Sequence, residues 1–489
     1  MVIKRPAMHC SSAPPLFRST ALRGGMYLAG ALLFSLNYWL NHYFGPPEIH
    51  QIAYQLQFGT QMTAASDPAV VRKFVRWGLW IPLFLTAIVV YLDRLAVQGG
   101  NHPMRTLCSK LPGAVLLCAV LLWSFQLSVV RYAFSSVGPD YFSEQYVKPS
   151  TVAVSRVKAK NLILIYVESM EAGYSNRLMF GKDLIAPLTE LNATSFDSFE
   201  QVPGTGWTIA AIVASQCGLP LKRLTLFDIN TQGVVMNAFL PNATCLGDIL
   251  AQHGYRNVFM GGASPAFAGK GKFLKAHHYH EVYGKEDWQR LGVGASGMNG
   301  WGLFDDELFA RARAKLSELH ATGRPFNLTL LTVDTHDPTG HLSSSCARRG
   351  YAGFSGVVTC TATDVASFVQ YVRDQGYLAD TNVVILGDHL ARQNRLTDTL
   401  EGMPARSLYN GFIAETAPVK NRQQIVHFDL LPTTLEFIGF SVDGGRLGLG
   451  YSAFNDHGAQ PAPDRVEGLH ASVLNSSEAY RSLWSEAAP

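Results

Sequence analysis

Leu162-Ile163-Leu164-Ile165-Tyr166-Val167 runs six residues without a polar interruption, and the residue that follows is Glu168. A short continuous apolar run, rich in branched side chains, suits a strand covered on both faces, as in a parallel sheet. The pattern recurs twice. Leu328 to Val333 is followed by Asp334 and His336, and Val383 to Leu386, reached from Asn382, is followed by Asp388 and His389. In open parallel sheets the ligand site lies beyond the carboxyl ends of the strands, so three such ends can deliver their groups to one place. One polar residue after one strand would be read as a cap or turn. Three strand ends that each carry a carboxylate, two of them with a histidine, point to metal binding or proton handling.

Helical periodicity fills the intervals. Leu303 to Leu319 places Phe304, Leu308, Phe309, Ala312 and Leu316 on one face, and Asp364 to Gln375 is stopped by Gly376. A further unit, Phe428 to Phe440, closes the domain. Strands alternating with helices predict an α/β domain over 160–456, with a largely parallel central sheet flanked by helices. Residues 132–159, with Gly138, Pro139 and Pro149, read as a juxtamembrane linker. The segment 457–489, rich in Ala, Ser and Pro, reads as a loosely ordered tail. No internal repeat is present.

The 489 residues exceed one ordinary domain, and a composition 47% hydrophobic but only 16% charged suits a chain partly solvated by lipid. Residues 1–131 read as a membrane anchor with three transmembrane helices, at about 26–44, 74–92 and 113–131. Lys4, Arg5, Arg18 and Arg23 precede the first span, while Arg94, Arg105 and Lys110 lie between the second and third. Those sides are therefore expected in the cytoplasm, and an odd number of spans exports everything after Arg131. A net charge of +3 gives no case for nucleic-acid binding. Cys217, Cys245, Cys346 and Cys360 fall in the exported part. Pairing Cys346 with Cys360 would close a short loop, and the other two connectivities stay open.

The segment Pro203-Gly-Thr-Gly-Trp-Thr208-Ile-Ala-Ala-Ile-Val-Ala-Ser215 offers a nucleophile. Gly204 and Gly206 allow a close backbone approach, and Thr208 stands where a helix begins, with free N–H groups suited to phosphate. Threonine there also has a plain structural reading as an N-cap.

Tyr166-Val-Glu-Ser169, Gly204-Thr-Gly-Trp-Thr-Ile-Ala210 leading into Ala214-Ser-Gln-Cys-Gly-Leu-Pro220, Asp334-Thr-His336 and Gly387-Asp-His389 together resemble the membrane phosphoglycerol transferases. The resemblance is closest to those that decorate periplasmic glucans, within the alkaline phosphatase and sulfatase superfamily that includes lipoteichoic acid synthase. It covers residues 160 to 455 in motif order. It implies that Glu168, Asp388 and His389 are metal ligands, with Thr208 as nucleophile and fourth ligand, and that His336 binds the glycerophosphate group. Lys270, by its spacing before Tyr279, stands where lipoteichoic acid synthase has a phosphate-contacting arginine; alternatively it is a solvated charge in Gly269-Lys-Gly-Lys272. The implied donor is phosphatidylglycerol and the implied acceptor a periplasmic glucan. The implied location is a bacterial inner membrane with the catalytic domain in the periplasm. An oxygen-rich ligand set with one imidazole suits Mn²⁺ or Mg²⁺ and tolerates Zn²⁺.

Four competing readings follow from the same residues. A sulfatase needs a C-x-P-x-R pattern, and Cys217-Gly-Leu-Pro-Leu221 has proline one place late and no arginine. Phosphoethanolamine transfer to lipid A uses a related threonine. A glycerophosphate polymerase differs only in acceptor. A non-catalytic membrane sensor of glucan or lipid would be expected to have lost the nucleophile or a ligand. Arg348 and Arg349 are read either as a contact for an anionic headgroup or as ordinary loop residues.

Overall fold

In the computed structural model, which describes residues 20–44, 68–99, 102–126, 138–222 and 239–485, each of the three apolar runs is a strand. The central sheet comprises β1 (Asn161–Val167), β2 (Arg256–Gly261), β3 (Glu281–Tyr283), β4 (Phe326–Leu331), β5 (Thr381–Gly387) and β6 (Asn410–Ile413). Their order is β3-β2-β4-β1-β5-β6. All pairings are parallel except the last, where β6 runs antiparallel to β5. Strand β1 sits inside the sheet, with Ile163 level with both Leu328 and Val383.

The unbroken apolar run of β1 is explained by what covers it. Leu162, Leu164 and Tyr166 enter the core on one face, against helix α1 (Thr208–Cys217). Ile163, Ile165 and Val167 enter the core on the other, with α2 (Asp305–Ala321) and α3 (Gly353–Asp374). Period-two side chains of one strand thus feed two separate cores. Truncating a buried isoleucine here, such as Ile165→Ala, would cost about 2–5 kcal/mol through lost burial and the cavity left behind. In α2 the expected face is buried at Leu308, Phe309, Ala312 and Leu316, whereas Phe304 is only half-buried and lies one residue before the helix. Helix α3 begins at Gly353, well before the expected Asp364, because Val357, Val358 and Cys360 continue its buried face. It ends before Gly376, whose φ of 71° is the left-handed conformation expected of a stop.

Two expectations are corrected. The described part of the 132–159 segment is built into the domain: Phe142 is fully buried and stacks on Tyr146, and Val154–Arg156 pairs antiparallel with Phe440–Val442. The 457–489 segment also packs. It forms helices Arg465–Ser472 and Glu478–Ser482, and Leu469, Val473 and Tyr480 are each at most 1% exposed. Lys222 pins this segment by donating from Nζ to the Val473 carbonyl at 2.9 Å, and Arg465 pairs with buried Asp429. A few well-placed apolar residues inside a polar composition suffice to dock a chain end.

The helices before residue 127 form a second compact unit. Thr20–Phe44 contains the first expected span, the second (74–92) falls across Pro68–Val75, a π-helical turn Arg76–Trp80 and Ile81–Gly99, and His102–Gln126 overlaps the third only over 113–126; Arg23 ion-pairs with Asp93. Among the described residues only Arg72–Ala96 is a helix both long and apolar enough to cross a membrane; Lys110–Gln126 is apolar but shorter. Polar Ser35, Asn37 and Asn41 dilute the first helix. Lys4, Arg5, Arg18 and residues 127–131 lie outside the described residues. Two disulfides, Cys217–Cys245 and Cys346–Cys360, cross-link the large unit.

Candidate active site

Strands β1 and β5 are hydrogen-bonded neighbours, so the residues leaving their carboxyl ends emerge side by side. Gly387 makes this possible: a Cβ there would stand 1.9 Å from the Met170 carbonyl oxygen. Glu168 is followed by Ser169 in a left-handed conformation, φ 52°. A non-glycine residue in that region costs roughly 1–3 kcal/mol and needs local support. The support is present, since Ser169 donates its N–H to Asp388 Oδ1 and its hydroxyl to Glu168 Oε1, both at 2.8 Å.

Asp388 Oδ1 also accepts the His389 N–H at 2.8 Å, while Oδ2 is buried with no hydrogen-bond partner. His389 donates from Nδ1 to the Leu390 carbonyl at 3.0 Å. Its Nε2 is thereby aimed at Glu168 Oε1, 3.3 Å away, and Asp388 Oδ2, 3.6 Å away. One potential ligand atom from each of the three residues lies within 4.8 Å of the others, and all three residues are buried. Burial raises the Glu168 pKa, but the charges of His389 and His336 outweigh it and hold the carboxyl well below its usual range. Burial, then the Glu168 charge, pushes Asp388 up to about 6. Burial lowers the pKa of His389, yet the two carboxylates carry it up to about 9. Two buried carboxylates this close need a positive charge between them. Protonated His389 supplies it in the metal-free chain. A divalent cation satisfies the same need and also the orphaned Asp388 Oδ2, so the residues fit a metal.

Thr208 is the first residue of α1, and the N-cap position is Trp207, with no side-chain cap. Its Oγ1 lies 3.3 Å from Glu168 Oε2. The N-cap reading is therefore set aside, because the hydroxyl faces the acidic cluster and not the helix N–H groups. The preceding turn is fixed by Gly204, φ 83°, where a Cβ would meet Pro220 at 2.8 Å.

His336 is half-buried, donates from Nδ1 to the Asp337 carbonyl at 2.9 Å and lies against Trp301 with ring centroids 4.2 Å apart. That leaves Nε2 for a ligand. Lys270 is 4% exposed, which overturns the solvated-loop alternative. Burial lowers its pKa to about 8, against the opposing pull of Glu168 and Asp388. Asp334 does not join the cluster. It accepts from Asn299 Nδ2 at 2.8 Å and from the Asp305 N–H at 3.0 Å, and its pKa is raised by burial and by Asp305. Arg349 is bound to Asp364 at 2.9 Å and to the Cys360 sulfur, a structural arrangement.

The sequence patterns missed two supports of the site. His427 donates from Nε2 to the Asp388 carbonyl at 2.7 Å, and burial lowers its pKa to about 4, so it stays neutral. Trp301 backs His336, but Asn299-Gly-Trp-Gly302 reads only as a turn. Cys217, the one cysteine near a sulfatase-like position, is tied to Cys245 and cannot serve as a modified nucleophile.

The family model described as Sulfatase matches residues 160–440. Phosphoglycerol transferase I of Escherichia coli O139:H28 is 33% identical over 413 residues, 81% of this chain and 52% of that protein. The chain thus spans about half the length of the curated relatives it matches. Among solved structures, a Vibrio parahaemolyticus protein in the alkaline phosphatase superfamily is 17% identical with a TM-score of 0.48, covering 73% of this chain and 96% of that one. The integral membrane lipooligosaccharide phosphoethanolamine transferase of Neisseria meningitidis is 13% identical with a TM-score of 0.48, covering 95% and 88%. With more than half its length matched by the family model, and with a sheet that brings Glu168, Thr208, Asp388 and His389 together, the chain belongs to the sulfatase family.

Proposed function

We propose that the chain transfers phosphoglycerol from phosphatidylglycerol to a hydroxyl of a periplasmic glucan, through a glycerophospho-threonine at Thr208. The observation that carries this reading is the Thr208 hydroxyl, 3.3 Å from Glu168, at a helix N-terminus beside the Glu168, Asp388 and His389 cluster. The named relative at 33% identity supports phosphoglycerol as the transferred group.

Glu168, Asp388, His389 and Thr208 would hold a divalent ion, Mn²⁺ or Mg²⁺ by ligand type with Zn²⁺ tolerated. Bound there, the ion would lower the pKa of the threonine hydroxyl and offset phosphoryl charge. Thr208 Oγ1 attacks phosphorus, the bond from phosphorus to the diacylglycerol oxygen breaks, and the threonine proton is balanced by the one the departing oxygen takes up. An acceptor hydroxyl then attacks the same phosphorus, the bond to Thr208 breaks, and the acceptor's proton offsets the one returned to threonine. The first-turn N–H groups of α1 favour the anionic group throughout. His336 Nε2 and Lys270 bind the glycerophosphate oxygens, charge-assisted contacts that orient phosphorus toward Thr208.

The apolar helix Arg72–Ala96 supports a membrane anchor, and the two disulfides fit an oxidising compartment. On this reading the domain acts at the outer face of a bacterial inner membrane, near a donor that cannot leave the bilayer cheaply. The test is intact-mass analysis of the full chain after incubation with phosphatidylglycerol and Mn²⁺, beside Thr208→Ala. A phosphoglycerol adduct on the wild type alone is expected. Equal diacylglycerol release by both proteins would refute the role of Thr208.

A further inference from the structure

Thr208 stands on a different element from the residues it must meet, so something has to hold the turn before α1 against the loop after β5. Hydrogen bonds from the loop after β5 do this. Leu390 donates its N–H to Gln201 Oε1 at 2.8 Å, upstream of the turn. Arg392 reaches further, donating from Nη2 to the Gly206 carbonyl at 2.8 Å, two residues before Thr208. The backbone of the same arginine donates to Asp337 Oδ2 at 2.8 Å. Asp337 directly follows His336, and its other oxygen accepts from Asn394 Nδ2 at 2.9 Å. One residue therefore touches three segments: the turn bearing the nucleophile, the loop bearing Asp388 and His389, and the loop bearing His336.

We infer that Arg392 is a positioning residue that sets where Thr208 stands relative to Glu168 and His389, a reading that rests on Thr208 being the nucleophile. The chemistry suits arginine. Its planar fork can hold one carbonyl while the backbone of the same residue is fixed elsewhere, whereas a lysine at this place has a single rotating ammonium. Gly206 lacks a side chain to fix its own peptide plane, and Thr205 spends its hydroxyl on the Val202 carbonyl at 2.7 Å. The guanidinium thus holds the Gly206 carbonyl from outside the turn. A displacement on the order of 1 Å between reacting groups costs about 10²-fold in rate with little change in binding.

The test uses the full chain in detergent with Mn²⁺ and phosphatidylglycerol, comparing wild type, Arg392→Ala and Arg392→Lys. Steady-state turnover and the rate of adduct formation at Thr208 by intact mass are both measured. The expected result for Arg392→Ala is a fall of about 10²-fold in kcat and in the adduct rate, with KM within about twofold. Arg392→Lys, which keeps the charge and one donor, should recover part of the loss and control for folding. A rise in KM at unchanged kcat would overturn the inference and make Arg392 a substrate contact. Unchanged kinetics in Arg392→Ala, with a normal wild-type adduct, would overturn it while leaving the nucleophile intact. Turnover by the wild type without any adduct would instead overturn the role of Thr208, and this inference with it.

Discussion

Asp388 and Asp334 follow the two strands that flank β1, one residue apart in register, and do opposite things. Each is a buried aspartate just beyond a strand that pairs with β1, and the apolar run before each looks alike in sequence. Both Asp334 oxygens are engaged, by the Asn299 amide and the Asp305 N–H. Asp388 engages one oxygen twice and leaves the other without a partner, beside Glu168 and His389. Burial desolvates both residues. Only Asp388 keeps acceptor capacity for something that the protein does not supply. What marks a ligand is leftover capacity next to complementary groups, not acidity or burial alone.

The sharpest way to break the comparison is to neutralise each aspartate in turn. Asp388→Asn should lower turnover, read as diacylglycerol release, by about 10³-fold or more, because a ligand acting on transition-state charge is worth several kcal/mol. Bound metal, measured by equilibrium dialysis, should fall with it, while Asp334→Asn retains its metal. Retained turnover in Asp388→Asn would dissolve the distinction. The proposed function puts Lys270 with the Asp388 cluster. Lys270→Ala should raise KM for the donor about 10- to 100-fold, as expected for losing a charge-assisted contact. An unchanged KM would remove Lys270 from the site.

Stability should sort the two aspartates in the reverse order. Asp334→Ala strands the buried Asp305 N–H at about 1–3 kcal/mol and the half-buried Asn299 amide at less, visible in the denaturation midpoint. Asp388→Asn keeps the engaged oxygen and removes a like charge facing Glu168, so the metal-free protein should change little. A further effect should appear as a slope. Burial, reinforced by Asp364, raises Asp305 to about 7, so the folded chain holds a proton there that the unfolded chain has already released. Stability contributed by this group is present in acid and is lost as pH rises from the unfolded value of about 3.9 through the folded one. Melting in chelator between pH 4.5 and 8 should show the decline, and Asp305→Asn should make it shallower, with the raised Asp388 and Asp334 contributing the rest.

Sequence made the centre of this molecule legible because its signals there are local. Six apolar residues before Glu168 mark a buried strand, Gly376 marks a helix end, and Gly-Asp-His after a strand marks a strand-end cluster. The edge of the sheet was not legible. Strand β3 is three residues long and β6 only four, too short for any period to register. The amino-terminal half of α3 was hidden by Gly353, Gly356 and a run of Val and Thr, residues with poor helix propensity that tertiary burial overrides. The chain ends were misread because composition averages over a segment, while docking depends on single residues such as Phe142, Leu469 and Tyr480. Within the site, Glu168, Asp388 and His389 stood out as strand-end residues and Thr208 through the family resemblance, and the structure brings these four side chains close together. The separation of Asp388 from Asp334 was not, because it depends on Asn299 and Asp305, which approach through a loop and a helix start that no local pattern connects to either strand. His427 and Arg392 were hidden for the same reason.

The most direct test of the account is anomalous diffraction from crystals of the full chain grown with Mn²⁺. One strong peak within coordination distance of Glu168, Asp388, His389 and the Thr208 hydroxyl is predicted, and its loss in Asp388→Asn crystals should follow. A peak bound elsewhere, or none at these four side chains at saturating Mn²⁺, would contradict the assignment of this cluster as the metal centre and of Thr208 as the group it activates.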